Sequence, residues 1–425
     1  MKFTVVAGLV VVSTFLLTGC GGGSHKVEQV SQFNDTFVYD ETSQYKDVLL
    51  KCIKASYTNE SCSLEKLPFL KQTTTRVTKD DIKKRLVVSH KWMGDRFLEM
   101  LDLMDSDILE LLGATTAIVI DNDIRPSFYW NLTGAIYIDP RYLWLTPEEA
   151  SSITKQDDYR SDFGKDLNFL VFWRYVKDNS YAYHYYNLDS NVTRTKASIE
   201  YRLASLLYHE LAHANDYFPD SQIDNINTKL SAYNALSRLK DERISTNLTD
   251  EMPLESDMLD KLGQVLFHGT KATSQEKSLT AQDVGEEFDE AEGVSMYSYS
   301  TKYEDLAMLF ETTMMRYHYN IKRDQAFIVR PDRDENLTCR DYIVGWGVRD
   351  KLSEEGVKVR AKYVAKRILP SVEWDNFFDN NLTTSPELMD NGKDWCENLD
   401  LSSDKKLLKS FPQNRFMLDD MSIPE

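Results

Sequence analysis

The chain has 425 residues, 42% of them hydrophobic and 12% aromatic, which is enough apolar side chain to bury a core and to exclude disorder as the default state. A formal net charge of −18 argues against a nucleic-acid partner, which needs basic patches, and against adsorption to anionic lipid. The length allows about two to three domains, or one large domain with appendages.

The first residues read MKFTVVAGLVVVSTFLLTGC. Lys2 precedes an uncharged apolar run, 3–17, which is too short to span a bilayer and suits the h-region of a secretory signal over residues 1–20. Leu17-Thr18-Gly19-Cys20 resembles the bacterial lipobox, in which the cysteine is acylated and becomes the first residue after cleavage. The resemblance implies an envelope lipoprotein attached to the membrane through a lipid anchor on Cys20. An ordinary cleaved signal with an incidental cysteine is the plainer alternative. Gly21 stands where lipoproteins retained in the inner membrane usually carry Asp, which favours the outer membrane, and 21–24 is a flexible tether. No second apolar run is long enough for a transmembrane helix. Cys52, Cys62, Cys339 and Cys396 remain, an even number in an exported chain. The pairs Cys52–Cys62 and Cys339–Cys396 are favoured because each stays within one region of sequence. None of the four has zinc-knuckle spacing.

Residues 21–85 are polar and read as a linker and small N-terminal region. From 80 to 112 apolar residues recur at helical spacing (Leu86, Trp92, Phe97, Leu101, Met104, Ile108, Leu112) until Gly113 stops the pattern. The runs 115–121 and 134–139 are β-rich, and the segment between them, with Pro126, reads as a loop or an irregular edge. Thr146-Pro147-Glu148-Glu149 is a helix start. Long helical patterns cover 196–217, ending before Pro219, and 303–319. The aromatic stretch 183–186 reads as structural. A basic helix over 358–368 reads as a solvated charged face, and 371–425 as an acidic, irregular tail. Strands followed by helices without regular alternation predict an α+β fold.

The chemistry concentrates in Leu206-Leu207-Tyr208-His209-Glu210-Leu211-Ala212-His213. His209 and His213 are four residues apart, so a helix projects both imidazoles from one face. That spacing lets two nitrogens reach one Zn²⁺, with Glu210 beside them to take a proton from the water to be activated. A catalytic zinc needs a third protein ligand. Glu304, in the first turn of the helix that follows the tyrosine-rich loop 295–303, is the preferred candidate. Asp216, on the histidine face of the same helix as His209, is the second choice, because one straight helix wraps a tetrahedral ion poorly.

At these blocks the sequence resembles the gluzincins, zinc metallopeptidases in which HExxH is joined by a glutamate on a later helix. The likeness spans roughly 90–370, and only the HExxH and Glu304-Asp305 blocks are specific. It implies a zincin-like catalytic domain over 86–370 with a small mixed sheet and an HExxH active-site helix, flanked by appendages. It also implies a zinc cofactor, a peptide or protein substrate, and ligands His209, His213 and Glu304. Ser295-x-Tyr297 matches the loop that supplies an oxyanion donor, so Tyr297 is the expected donor, with Tyr299 and His318 as alternatives. The strand 134–139 is the expected edge for substrate. There are two departures. Many relatives carry an acidic residue four positions after the glutamate ligand, where this chain has Met308, so a supporting carboxylate must come from Asp305, Glu311 or Asp216. Residues 220–290 form an insertion between the two blocks. The competing class is a non-catalytic envelope lipoprotein on the same fold, with structural zinc, binding a protein or peptidoglycan partner; the lack of cysteine near either block counts against it. A metal-dependent hydrolase of a non-peptide substrate is the third reading.

Overall fold

The computed structural model describes residues 33–401 apart from 34, 157, 240–241 and 334–336. Cys20, with the expected anchor, and the chain beyond 401 lie outside the described residues. The fold is α+β, with two five-stranded sheets and a helical layer that holds the site.

The first sheet contains β1 (Phe37–Val38), β2 (Leu86–Val88), β3 (Ile118–Ile120), β4 (Phe128–Trp130) and β5 (Ala135–Ile138), in the order β1-β2-β3-β5-β4. β2, β3 and β5 run parallel, and the edges β1 and β4 are antiparallel. Its central strands are buried on both faces, as parallel strands usually are. Leu86, Val88, Ile118, Ile120, Ile136 and Ile138 enter the main core. Val87, Val119, Ala135 and Tyr137 point the other way, onto Leu49, Cys52 and Ile53. The helix Lys46–Ile53 therefore covers one face of the sheet, and the described residues before 85 add β1 to it and side chains such as Leu49, Phe69 and Ile82 to the cores on its two faces.

Two expectations change here. The helical pattern over 80–112 is broken: helices Lys79–Lys83, Lys91–Leu101 and Asp107–Leu111 flank strand β2. A short strand buried on both faces is a continuous apolar run, which periodicity does not separate from a helix. The strand expected to receive substrate, 134–139, is β5, an interior strand, and the edge beside it is β4.

The second sheet was not anticipated. It contains β6 (Phe169–Lys177), β7 (Ser180–Tyr181), β8 (Lys322–Val329), β9 (Val344–Arg349) and β10 (Glu387–Leu388), in the order β10-β9-β8-β6-β7, all antiparallel. Arg174, Arg323, Asp324 and Gln325 interrupt the apolar alternation of β6 and β8 and hide them as strands. Asp324 resolves much of that charge, bonding Arg174 Nε at 2.7 Å and Arg349 Nε at 2.6 Å in the buried sheet. β10 and Trp395, over which the Arg174 guanidinium lies at 3.8 Å, tie the chain up to 401 onto this sheet. The described part of the expected tail thus carries strand β10 and packs on the sheet. Both expected disulfides are present, Cys52–Cys62 and Cys339–Cys396, with Cα separations of 5.3 and 5.5 Å.

The two long helices lie between β7 and β8 in the chain. The first, Lys196–Tyr217, starts at Thr195, whose side chain accepts from the Ser198 amide, and stops before Pro219. The second, Lys302–Tyr319, is capped by Thr301 and ends at Asn320 in the left-handed region, φ 53°. They pack against each other with almost every side chain of both buried along the contact. The insertion supplies short helices, among them Ile244–Glu251 and Asp257–His268. Gly263 admits the latter onto the 296–299 turn, since a Cβ there would meet the Tyr299 carbonyl oxygen at 2.4 Å. The basic helix, Glu355–Ile368, is not wholly a solvated face: Arg360 is buried and pairs with Asp305. Among the described residues no helix is long and apolar enough to cross a membrane.

Candidate metal centre

The histidine helix and the glutamate helix place their functional side chains in the seam between them. His209 and His213 share a face, and their rings stand 5.0 Å apart at 80°. Glu304 comes from the first turn of the partner helix, where the Thr301 cap accepts from its amide and the helix dipole favours a carboxylate. Its Oε2 lies 3.0 Å from His209 Nε2 and 3.4 Å from His213 Nε2. One donor atom from each of the three lies within 4.8 Å of the others. Two zinc bonds of about 2.0–2.1 Å at a tetrahedral angle hold their donors roughly 3.3 Å apart, so two nitrogens and a carboxylate oxygen at these separations fit such an ion. All four cysteines among the described residues are in disulfides and contribute nothing here.

His209, Glu210, His213 and Glu304 are at most 5% exposed, and burial governs their charges. Desolvation drives the Glu304 carboxyl upward, but His213 and His209 outweigh it and hold it well below the ordinary carboxylate range. Burial likewise disfavours an imidazolium at His209, yet Glu304 and Glu311 reverse that and raise its pKa to about 10. Burial raises Glu210 above its usual value, against the pull of the two histidines.

Each functional group is held from a different direction. Glu210 Oε2 accepts the Tyr129 amide of edge strand β4 at 2.8 Å. The opposing residue on β5, Ile136, donates its amide to Ala117 instead, so the Tyr129 N–H points away from the sheet and toward the helix. His209 Nδ1 lies 3.0 Å from Glu311 Oε2. Of the three candidate supporting carboxylates, only Glu311 reaches one of the candidate ligands, His209. Glu311 stands seven residues after Glu304, two turns along the same face, in place of the missing acid at Met308. Asp305 is taken by Arg360, and Asp216 by the Ser245 amide and hydroxyl, each at 2.7 Å. Asp216 therefore fills neither the ligand role nor the supporting role weighed for it.

No family model, curated protein or solved structure matches this chain.

The tyrosine candidates separate cleanly. Tyr297 is 8% exposed, its ring lies 6.1 Å from that of His209 at 21°, and Phe267 of the insertion packs edge-on against it at 4.8 Å. The Tyr299 hydroxyl instead accepts the Gly293 amide at 3.0 Å. His318 lies fourteen residues after Glu304, about 21 Å along the helix, bonded to Asp105 and Asp107. Neither alternative faces the centre. Tyr183 packs against Tyr175 of β6, in keeping with a structural reading of 183–186.

Several residues at the centre escaped the sequence reading. Arg160 is buried, doubly bonded to Asp158 at 2.9 and 2.6 Å, and within electrostatic reach of Tyr297. Tyr159 beside it is exposed, its ring 6.1 Å from that of Phe163. Tyr129 reaches Glu210 through its backbone amide, and Tyr175, on strand β6, donates its hydroxyl to Glu311 at 2.7 Å. No motif announces either.

Proposed function

We propose that this chain is a lipid-anchored, envelope-exported zinc metallopeptidase of gluzincin type, hydrolysing peptide bonds. The observation that carries the reading is the convergence of His209, His213 and Glu304 donor atoms, with Glu210 on the same helix and anchored by the Tyr129 amide. When bound, zinc supplies Lewis acidity and brings the pKa of water toward neutrality. Glu210 accepts the proton of the attacking water and delivers it to the leaving amine. Because Tyr129 holds one carboxylate oxygen, the other carries this proton traffic. Tyr297, with Arg160 behind it, donates toward the oxygen on which charge develops.

The test is cleavage of casein or a peptide library by zinc-loaded wild type and Glu210→Gln. Cleavage by wild type alone, with zinc retained in both, is expected. Full activity in Glu210→Gln, or no cleavage by zinc-loaded wild type, contradicts the reading. For the anchor, Cys20→Ser is expected to leave the membrane fraction, and its persistence there through a carbonate wash counts against acylation.

A further inference from the structure

Behind His209 the second sheet reaches into the centre. One Glu311 oxygen faces His209 Nδ1 at 3.0 Å, and the other accepts the Tyr175 hydroxyl at 2.7 Å. Tyr175 lies in β6, buried, with its ring 5.9 Å from Trp173 and 6.4 Å from Tyr183. Its cross-strand partner on β8 is Arg323, whose guanidinium sits 5.4 Å from the same ring. The phenol is thus wedged among large side chains, and its hydroxyl has a fixed position relative to the sheet.

We propose that Tyr175 is a positioning residue of the metal centre, setting its metal affinity by locking the Glu311 carboxylate that orients His209. The proposal rests on the reading of His209 as a metal ligand. A histidine that coordinates through Nε2 carries its proton on Nδ1, and an ionised carboxylate, which only accepts, selects that tautomer and fixes the plane of the ring. A carboxylate bonded through one oxygen still rotates about its stem, whereas one bonded through both is held in place. Tyr175 supplies the second point. The other histidine has no such brace: His213 Nδ1 is buried without a hydrogen-bond partner among the described residues. Orientation of the ligand pair therefore enters through His209, and through it from a strand whose closest sequence motif lies more than thirty residues away.

The experiment measures zinc affinity, by competition with a chromophoric chelator, for wild type, Tyr175→Phe, Glu311→Ala and the double variant, without substrate. Far-UV circular dichroism of the metal-free proteins checks that each is folded. Tyr175→Phe is expected to weaken zinc binding about 10–100-fold and to have no further effect in the Glu311→Ala background, because the tyrosine acts only through that carboxylate. Wild-type affinity in Tyr175→Phe, or an equal loss in both backgrounds, overturns the proposal. Absence of a wild-type zinc site overturns it together with the metal-centre reading. The expected affinity pattern in a protein that cleaves no peptide supports it and removes only the peptidase reading.

Discussion

The two sheets hold the same centre by different means. The first sheet, parallel at its middle, touches it through a backbone group, the Tyr129 amide on Glu210. The second, wholly antiparallel, touches it through a side chain, Tyr175 on Glu311 of the glutamate helix, and Glu311 in turn faces His209. A backbone donor is indifferent to which residue bears it, so the first contact constrains the path of β4 and leaves residue identity open. A side-chain chain depends on each hydroxyl and carboxylate in it. On the proposed function, the first sheet therefore bears on the base and turnover, and the second on the ligand and metal retention.

The sharpest way to break this division is Glu210→Gln, on the first-sheet side. Loss of the base is expected to reduce kcat by roughly 10²–10⁴-fold with zinc affinity unchanged; a variant that also loses zinc makes Glu210 part of the metal site and erases the distinction. Tyr297→Phe belongs to neither sheet. Steady-state kinetics are expected to show kcat lower by about 10²–10³-fold with normal zinc content and thermal stability, and an untouched kcat moves the oxyanion donor elsewhere. On the second-sheet side, Glu311→Gln is expected to weaken zinc binding about 10–100-fold, and with metal saturating most of kcat returns. Failure of saturating zinc to restore turnover places Glu311 in the chemistry. The smallest effect is expected of Tyr129→Phe. It keeps the amide and removes a 3.2 Å hydrogen bond to the Ala114 carbonyl, so a denaturant titration is expected to show a loss of about 0.5–1.5 kcal/mol with turnover near wild type. A large loss of turnover there means that the side chain, and not the backbone, serves the base.

The same contrast explains what was legible in the sequence. The HExxH helix, its cap and its stop before Pro219 lie within one contiguous segment, so periodicity and spacing suffice to find them. Glu304 sits at a capped helix start after a distinctive loop, which makes it findable as well. β2 was absorbed into a helical pattern because Leu86, Val87 and Val88 are buried on both faces. The second sheet was invisible because Arg174, Arg323 and Asp324 read as surface residues until β6 and β8, some 150 residues apart in sequence, bring them together. Glu311 could only be one of three carboxylates, since the choice depends on Arg360 and Ser245 occupying the other two. Tyr175, Arg160 and the Tyr129 amide carry no local signature at all; their roles arise only from where the chain returns.

In the proposed function, two histidines from one helix and a glutamate from another hold a single zinc ion. Metal content of purified wild type and Glu304→Ala, after equal zinc loading and gel filtration, tests it most directly, because Glu304 is the donor that the HExxH helix does not supply. About one zinc per chain is expected in wild type, with loss of most of it in Glu304→Ala. Equal zinc in the two proteins contradicts the account.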